Sequence, residues 1–387
     1  MINYDNLRTG AGIFDVLSKA ETLEREGKKI LHFEIGQPDF PTPTHIKEAA
    51  KQALDNNFTG YVPATGILEL KEAIQDEIEM TRGFRPSLNQ ILVTPGANPG
   101  IYYSLRAAIK TIDEEIIYPD PSFPTYSAVI NYLNTKKVAV PLQEANEFRL
   151  NPDDIENKIT QKTKVIIINS PMNPTGSMMT KKELSRVAEI SEQHNLYVLT
   201  DEIYSKMTYD RKFFSPSVYD EAKERTIILD GFSKAYSMTG WRLGYIIGPE
   251  PLIDKMSLLI STTVSCVCSF NQKAGVAALK GPQDDLKANM RAFRKRRDKI
   301  IKGLNEIPNF SCFTPQGAFY AFPNIIKTGM SSKELADYLL YNAGVACLPG
   351  TIFGNYGEGY LRFSYATSVE VINEAIENIK TLFKKIN

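Results

Sequence analysis

The chain has 387 residues, with 45 Lys+Arg balanced by 45 Asp+Glu, 43% hydrophobic and 23% charged residues. That composition is ordinary for a globular protein and excludes a disordered chain, and zero net charge gives no electrostatic footprint for nucleic acid. No apolar run nears the roughly 20 residues that a membrane-spanning helix needs. The Met1-Ile-Asn-Tyr-Asp5 start lacks a secretory pattern and the four cysteines are scattered, so a reduced, cytoplasmic protein without a membrane partner is expected. Between about residues 90 and 250, apolar runs at 91–94, 115–118, 165–168, 196–200, 226–229 and 243–247 alternate with helical patterns. Most lack the alternation of half-exposed strands, which predicts an α/β fold with a mostly parallel sheet covered by helices. Thr180-Lys-Lys-Glu183 predicts a capping box on the helix between the third and fourth runs. The six basic residues from Arg291 to Lys299 read as a solvated helix face. Ser331-Ser-Lys-Glu334 and Thr367-Ser-Val-Glu370 read as helix starts, and after the second Ile372, Ala375, Ile376, Ile379 and Phe383 share one face. A large domain over 46–290 and a smaller α+β domain from 1–45 plus 291–387 are expected.

The unusual polar residues fall at strand ends. Asn173 follows the run at 165–168, Asp201 and Tyr204 follow 196–200, Ser233 and Lys234 follow 226–229, and Arg242 heads the next run. In an open parallel sheet, carboxyl edges form the ligand crevice. A lysine there can form a Schiff base with an aldehyde. Pyridoxal 5′-phosphate is such an aldehyde, and its parts find matching groups. Asp201 suits the pyridine nitrogen, while Tyr204 and Asn173 suit the ring 3-oxygen. Gly96-Ala97-Asn98, between a strand and a helix, offers an anion site for the phosphate, with Ser233 and Arg242 adding charge-assisted bonds. Phe123, in Pro121-Ser-Phe-Pro124, can stack on the ring.

With Gly36-Gln-Pro-Asp39, Tyr61-Val-Pro-Ala-Thr-Gly66, Asn173-Pro-Thr-Gly176, Asp201-Glu-Ile-Tyr204, Ser233-Lys234, Gly240-Trp-Arg242, Gly317-Ala-Phe-Tyr320, Leu348-Pro-Gly350 and Arg362 in this order, the chain resembles the fold-type I, class I/II aminotransferases nearly end to end. The resemblance implies a seven-stranded-type sheet in the large domain and a homodimer with shared sites. It makes Lys234 the Schiff-base lysine and general base, Asp201 the pyridine partner and Arg362 the clamp for the substrate α-carboxylate. Tyr61 is then expected to reach the phosphate of the neighbouring subunit, and Gly36, Phe123 and Asn173 to line the substrate pocket. The implied reaction is ping-pong transfer of an amino group from an L-amino acid to a 2-oxo acid, with 2-oxoglutarate as the expected acceptor.

Two departures stand out: Gly231 occupies a position where the family often has Ser or Thr, and Phe123 one where Trp or Tyr is common. Rival readings are a C–S β-lyase on the same fold, an aspartate-specific aminotransferase, and a transcription regulator built on this domain. The regulator needs an N-terminal winged helix, for which no room is expected before Gly36. Simpler readings also exist residue by residue: a surface Lys234, Asp201 and Glu202 as helix caps, a salt-bridged Arg362 and a merely packed Phe123. The register of the whole set argues against them. His32, His45 and His194 lack metal spacing and are expected to be solvated or packed, and Cys266 and Cys268 to be small packing residues; no metal is expected. Asn98 replaces a lysine that serves an acidic substrate side chain in one subgroup, and Ser261–Phe270 offers no cation instead. Neutral or aromatic amino acids are therefore expected as donors, with an arginine such as Arg8 accommodating the second carboxylate of 2-oxoglutarate.

Overall fold

The computed structural model describes residues 11–220 and 223–384. Its central sheet contains β1 (Ile91–Thr94), β2 (Glu115–Asp120), β3 (Lys136–Pro141), β4 (Thr163–Asn169), β5 (Tyr197–Asp201), β6 (Thr226–Gly231) and β7 (Gly244–Ile247). The spatial order is β1-β7-β6-β5-β4-β2-β3, with β7 antiparallel to both neighbours and every other pair parallel. The apolar runs are continuous because both faces are covered. Val165 and Ile167 of β4 pack with Leu105 and Met256 on one side, while Ile166 and Ile168 pack with Val187 and Ile190 on the other. β3 has no counterpart among the expected runs: it is an edge strand whose Lys136 and Lys137 are exposed, so its apolar signal is weak.

The carboxyl ends of β1, β2, β4, β5 and β6 open on one edge of the sheet, and β7 starts there. A separate core joins Leu31 and Phe33 to Phe293, Ile300, Phe363 and Ile379. Leu31–His32 pairs in parallel with Val345–Ala346, and a small antiparallel sheet sets Leu361–Ser364 between Leu348–Pro349 and Tyr320–Ala321.

The capping box expected at Thr180/Glu183 forms, and the helix start expected at Ser331 is closed in the same way with Glu334. The last helix, Val369–Lys384, buries the five residues its spacing predicts. Its start lies slightly later than Thr367: Ser368 Oγ accepts from the Val371 N–H at 3.2 Å. The basic run departs in part: Arg291, Arg294, Lys295 and Lys299 are exposed as expected, whereas Arg296 and Arg297 are buried. On the helix Asp284–Asn305, Arg296 grips the Asp39 carboxylate through both Nη atoms at 2.6 and 2.8 Å, and Arg297 is buried against Asp210 and the Pro315 carbonyl. Acids from distant parts of the chain claim these cations, which a charge count along one helix does not reveal. Among the described residues, no helix is long and apolar enough to cross a membrane.

Candidate active site

A cavity of about 310 Å³ opens at the carboxyl edge of the sheet. Gly36, Ala97, Asn98, Phe123, Asn173, Asp201, Tyr204, Ser233, Lys234, Arg242 and Arg362 all line it, so most residues singled out from the sequence meet in one place. Gly96 stands just behind, against Arg242. Tyr61 does not line the cavity; it is 90% exposed on the surface of this chain. Arg8 lies outside the described residues.

Lys234 sits three residues beyond β6, and its Nζ donates to the Gly36 carbonyl at 2.6 Å. The rings of Tyr204 and Phe319 lie 6.0 and 5.8 Å away. Burial, aided by the nearby Arg362 and Arg242 charges, lowers the ammonium to about 8. A usable fraction of neutral amine therefore exists near neutral pH, the state that attacks an aldehyde.

Asp201 is the last residue of β5 rather than the first beyond it. Its Oδ2 accepts from the Tyr126 hydroxyl at 2.7 Å and its Oδ1 from the Ile203 N–H at 3.2 Å. Asn169 Nδ2 donates to its carbonyl at 3.0 Å. Burial raises the carboxyl to about 6, a rise that the bonds from the Tyr126 hydroxyl and the Ile203 N–H restrain. At pH 7 it is a buried anion able to pair with a cationic ring N–H.

Tyr204 and Tyr320 share a hydroxyl–hydroxyl bond of 2.7 Å, and burial pushes the Tyr204 phenol well above its usual range. The Tyr320 hydroxyl occupies the space that a Cβ at position 36 would take, which is why Gly36 is glycine. Arg362, on the strand Leu361–Ser364, donates from Nη2 to the Glu34 carbonyl and from Nη1 to Asn173 Oδ1 at 3.1 Å. Its Nε is buried without a partner, and burial lowers the guanidinium from its usual value. Bonded to no carboxylate and lying against the rings of Tyr320 and Phe353, this guanidinium is suited to one.

The anion cradle follows from backbone geometry. Gly96, at φ 89°, precedes the helix Ala97–Ala108, whose N-terminus carries no side-chain cap. A Cβ on Gly96 would meet Arg242 Nη2 at 2.6 Å, and one on Gly244 would meet the Ala97 nitrogen at 2.7 Å. Gly231 pairs with Gly244 across β6 and β7, and its own Cβ would lie 3.0 Å from the Gly244 Cα. A serine at 231 would crowd this junction, so the departure noted in the sequence has a steric reason. Phe123 precedes the helix Pro124–Tyr132 and packs edge-to-face with Tyr126, ring centroids 5.8 Å apart.

Tyr126, Asn169, Thr239 and Tyr320 also line the cavity, and none has an expected role from sequence, although Tyr320 lies in the Gly317-Ala-Phe-Tyr320 motif. Asn169 closes β4 and carried the same strand-end signal as Asp201. Two further expectations change. His32 is held between Glu34 at 2.7 Å and Glu24 at 3.1 Å rather than merely solvated or packed, and Cys268 is exposed rather than packed.

An amine, a buried carboxylate, an uncapped helix N-terminus beside Arg242 and a guanidinium bonded to no carboxylate fit the aldehyde, ring nitrogen and phosphate of pyridoxal phosphate and the carboxylate of an amino acid. A sequence profile of the family described as "Aminotransferase class I and II" matches residues 28–379. The chain is 41% identical over 360 residues to aromatic-amino-acid aminotransferase 2 of Thermococcus litoralis, covering 92% of each. It is 40% identical over 362 residues to an aspartate aminotransferase of Pyrococcus abyssi, again covering 92% of each. The solved structure of an aromatic aminotransferase from Pyrococcus horikoshii OT3 superposes with a TM-score of 0.89 at 39% identity, covering 96% of this chain and 99% of that one. On fold, site and sequence together, the chain belongs to the class I and II aminotransferases of fold type I, and it is a pyridoxal-phosphate-dependent transaminase.

Proposed function

We propose that Lys234, Asp201 and Arg362 form the working centre of an aminotransferase that takes L-amino acids with neutral or aromatic side chains and passes their amino group to 2-oxoglutarate. The observation that carries this reading is Lys234 itself: its amine is lowered to about 8 and bonded to a carbonyl rather than to a carboxylate. When bound, pyridoxal phosphate supplies an aldehyde for that amine and a ring that draws electron density from the substrate Cα.

Each residue then has a task. Arg362 grips the α-carboxylate, with Asn173 Oδ1 orienting its Nη1. Lys234 Nζ, once free, takes the proton from the substrate Cα as general base and later returns it as general acid. Asp201 holds the proton on the ring nitrogen, and Tyr126 keeps the carboxylate aimed. Tyr204 and Asn173 address the ring oxygen. Gly96, Ala97, Asn98, Ser233 and Arg242 bind the phosphate, while Phe123 covers a ring face and excludes water. Amino acid and oxo acid present the same α-carboxylate to Arg362, so they bind in turn, which is ping-pong kinetics.

The substrate reading is supported by the cavity wall. Its cations among the described residues are Lys234, Arg242 and Arg362, each already employed, and Ile35, Ile101 and Phe123 make much of the remainder apolar. The exposure of Tyr61 supports a homodimer in which it reaches the partner's phosphate site. The shared core of Phe33 with Phe293 and Phe363 supports a 1–45 plus 291–387 unit beside a 46–290 unit. The free cysteines support a cytoplasmic setting.

Borohydride reduction and peptide mapping of the loaded enzyme should place the pyridoxyl group on Lys234; label on another lysine overturns the mechanism. Specificity constants for aspartate, alanine and phenylalanine test the substrate. Aspartate leading by about a hundredfold, about 2.7 kcal/mol, would require a further cation in the pocket and refute the neutral reading. Pyruvate and ammonia as the main products would replace transfer by elimination.

A further inference from the structure

Behind the cavity lies a set of buried charges that the chemistry above does not use. Arg82 closes the helix Leu68–Arg82. Its Nε and Nη2 donate to Glu202 Oε2 at 3.1 and 2.9 Å, and Nη2 also donates to Asp230 Oδ2 at 2.7 Å. Glu202 directly follows Asp201, and Asp230 is the penultimate residue of β6, just ahead of Lys234. One guanidinium therefore ties together the two strand ends that carry the acid and the lysine. The remaining carboxylate oxygens are also filled: Thr200 and Ser215 donate to Glu202 Oε1, and the Gly231 N–H donates to Asp230 Oδ1.

We propose that Arg82 is a positioning residue for the reaction: by pairing with Glu202 and Asp230 it keeps Asp201 ionised and in register with Lys234. Asp201 is faced by Tyr126 from the helix Pro124–Tyr132, by Tyr204 and Glu202 on its own stretch, by Asp230 from β6 and by Lys234 beyond it. Glu77, Tyr236 and Tyr245 face the Arg82 cluster, and Glu77 is itself paired with Lys206 at 2.6 Å. In this list the two carboxylates work against the charge of Asp201, and Arg82 is bonded to both. Without Arg82, Glu202 loses its cation and Asp230 keeps only Lys206, so the negative charge beside Asp201 is less compensated and its carboxyl becomes protonated at higher pH.

The role rests on Asp201 facing the ring nitrogen, and both can be tested through cofactor affinity without turnover. The probe is pyridoxamine 5′-phosphate, which has no aldehyde for Lys234, titrated into the full-length protein by fluorescence from about pH 5 to about pH 9. Affinity in the unaltered protein should weaken as Asp201 takes a proton near pH 6. In Arg82→Met that acid limb should move up by about one unit or more, so that affinity at about pH 6 falls about fivefold or more. Arg82→Lys, which keeps the charge, and Arg82→Met/Glu202→Gln, which removes one anion, should return the limb most of the way. If Arg82→Met does not fold, these two variants are read beside Asp230→Asn, in which the loss of an anion should move the limb down. A limb that weakens in Asp201→Asn yet stays fixed in the Arg82 and Asp230 variants overturns the role of Arg82 alone. The probe's phosphate also takes a proton at about pH 6 in every variant, so a limb identical in the unaltered protein and in Asp201→Asn overturns the assignment of Asp201 and this role with it.

Discussion

Two buried arginines, Arg82 and Arg362, flank the same strand ends in opposite electrostatic situations. Burial alone would lower Arg82, but the attraction of Glu202 and Asp230 outweighs it, and the guanidinium is held above its usual range. Arg362 is equally buried, its nitrogens meet only neutral oxygens or nothing, and burial lowers it. A buried cation is costly unless a carboxylate answers it. Arg82 has its carboxylates within the fold and serves as a brace. Arg362 lacks one, and its open fork is best explained by a carboxylate that arrives with the substrate.

That contrast can be broken in two ways, and a third residue sharpens it. The largest effect should come from Arg82→Met, which strands two buried carboxylates and should cost about 3–5 kcal/mol of unfolding free energy in urea titration. A loss below about 1 kcal/mol would mean that water reaches the cluster. Arg362→Ala should lower kcat/KM for amino and oxo acids alike by about 1.5–3 kcal/mol, while simple amines lacking a carboxylate lose far less. Equal losses for both substrate types, or a fall in cofactor-free stability as large as that of Arg82→Met, would make Arg362 a brace as well.

The smallest effect concerns His32, which neutralises Glu34, the residue whose carbonyl accepts from Arg362. Its hydrogen bond to Glu34, reinforced by Glu24 and opposed by burial, raises the imidazole from 6.5 to about 9. A raised folded-state value means a contribution present in full below about pH 6.5 and lost as pH climbs through about 9. Because the ring is partly exposed, water screens the pair, and His32→Gln should cost about 1 kcal/mol at low pH and nothing above that window. A cost independent of pH would assign His32 to packing instead.

The brace was illegible in the sequence and the fork was not, for a physical reason. Lys234, Asp201 and Arg362 stand at strand ends or in ordered motifs, so linear pattern reports their place. Arg82 ends a helix far from Glu202 and Asp230 in sequence, and only the folded sheet brings the three together. Glu202 received no role of its own because its neighbours carried all the signal. The five-residue face of the helix Val369–Lys384 was readable because periodicity and burial agree there, whereas Arg296 was misread because its partner Asp39 belongs to another part of the chain. Tyr126 has no strand-end position to mark it; only its bond to Asp201 gives it meaning.

The way Lys234 and Arg362 are moored has a consequence for how the pocket can vary. Both cations are fastened to main-chain oxygens, those of Gly36 and Glu34, and the adjoining Phe33 is stitched through its own peptide groups to Ala346 and Ser364. Peptide oxygens belong to every amino acid, so a codon change at 34 or 35 rewrites a side chain and leaves the mooring intact. Ile35 lies on the cavity wall. Position 36 has no such freedom, because any side chain there meets the Tyr320 hydroxyl. A lineage can therefore revise the wall at 35 in search of new substrates without unfastening either cation, as long as its neighbour stays glycine.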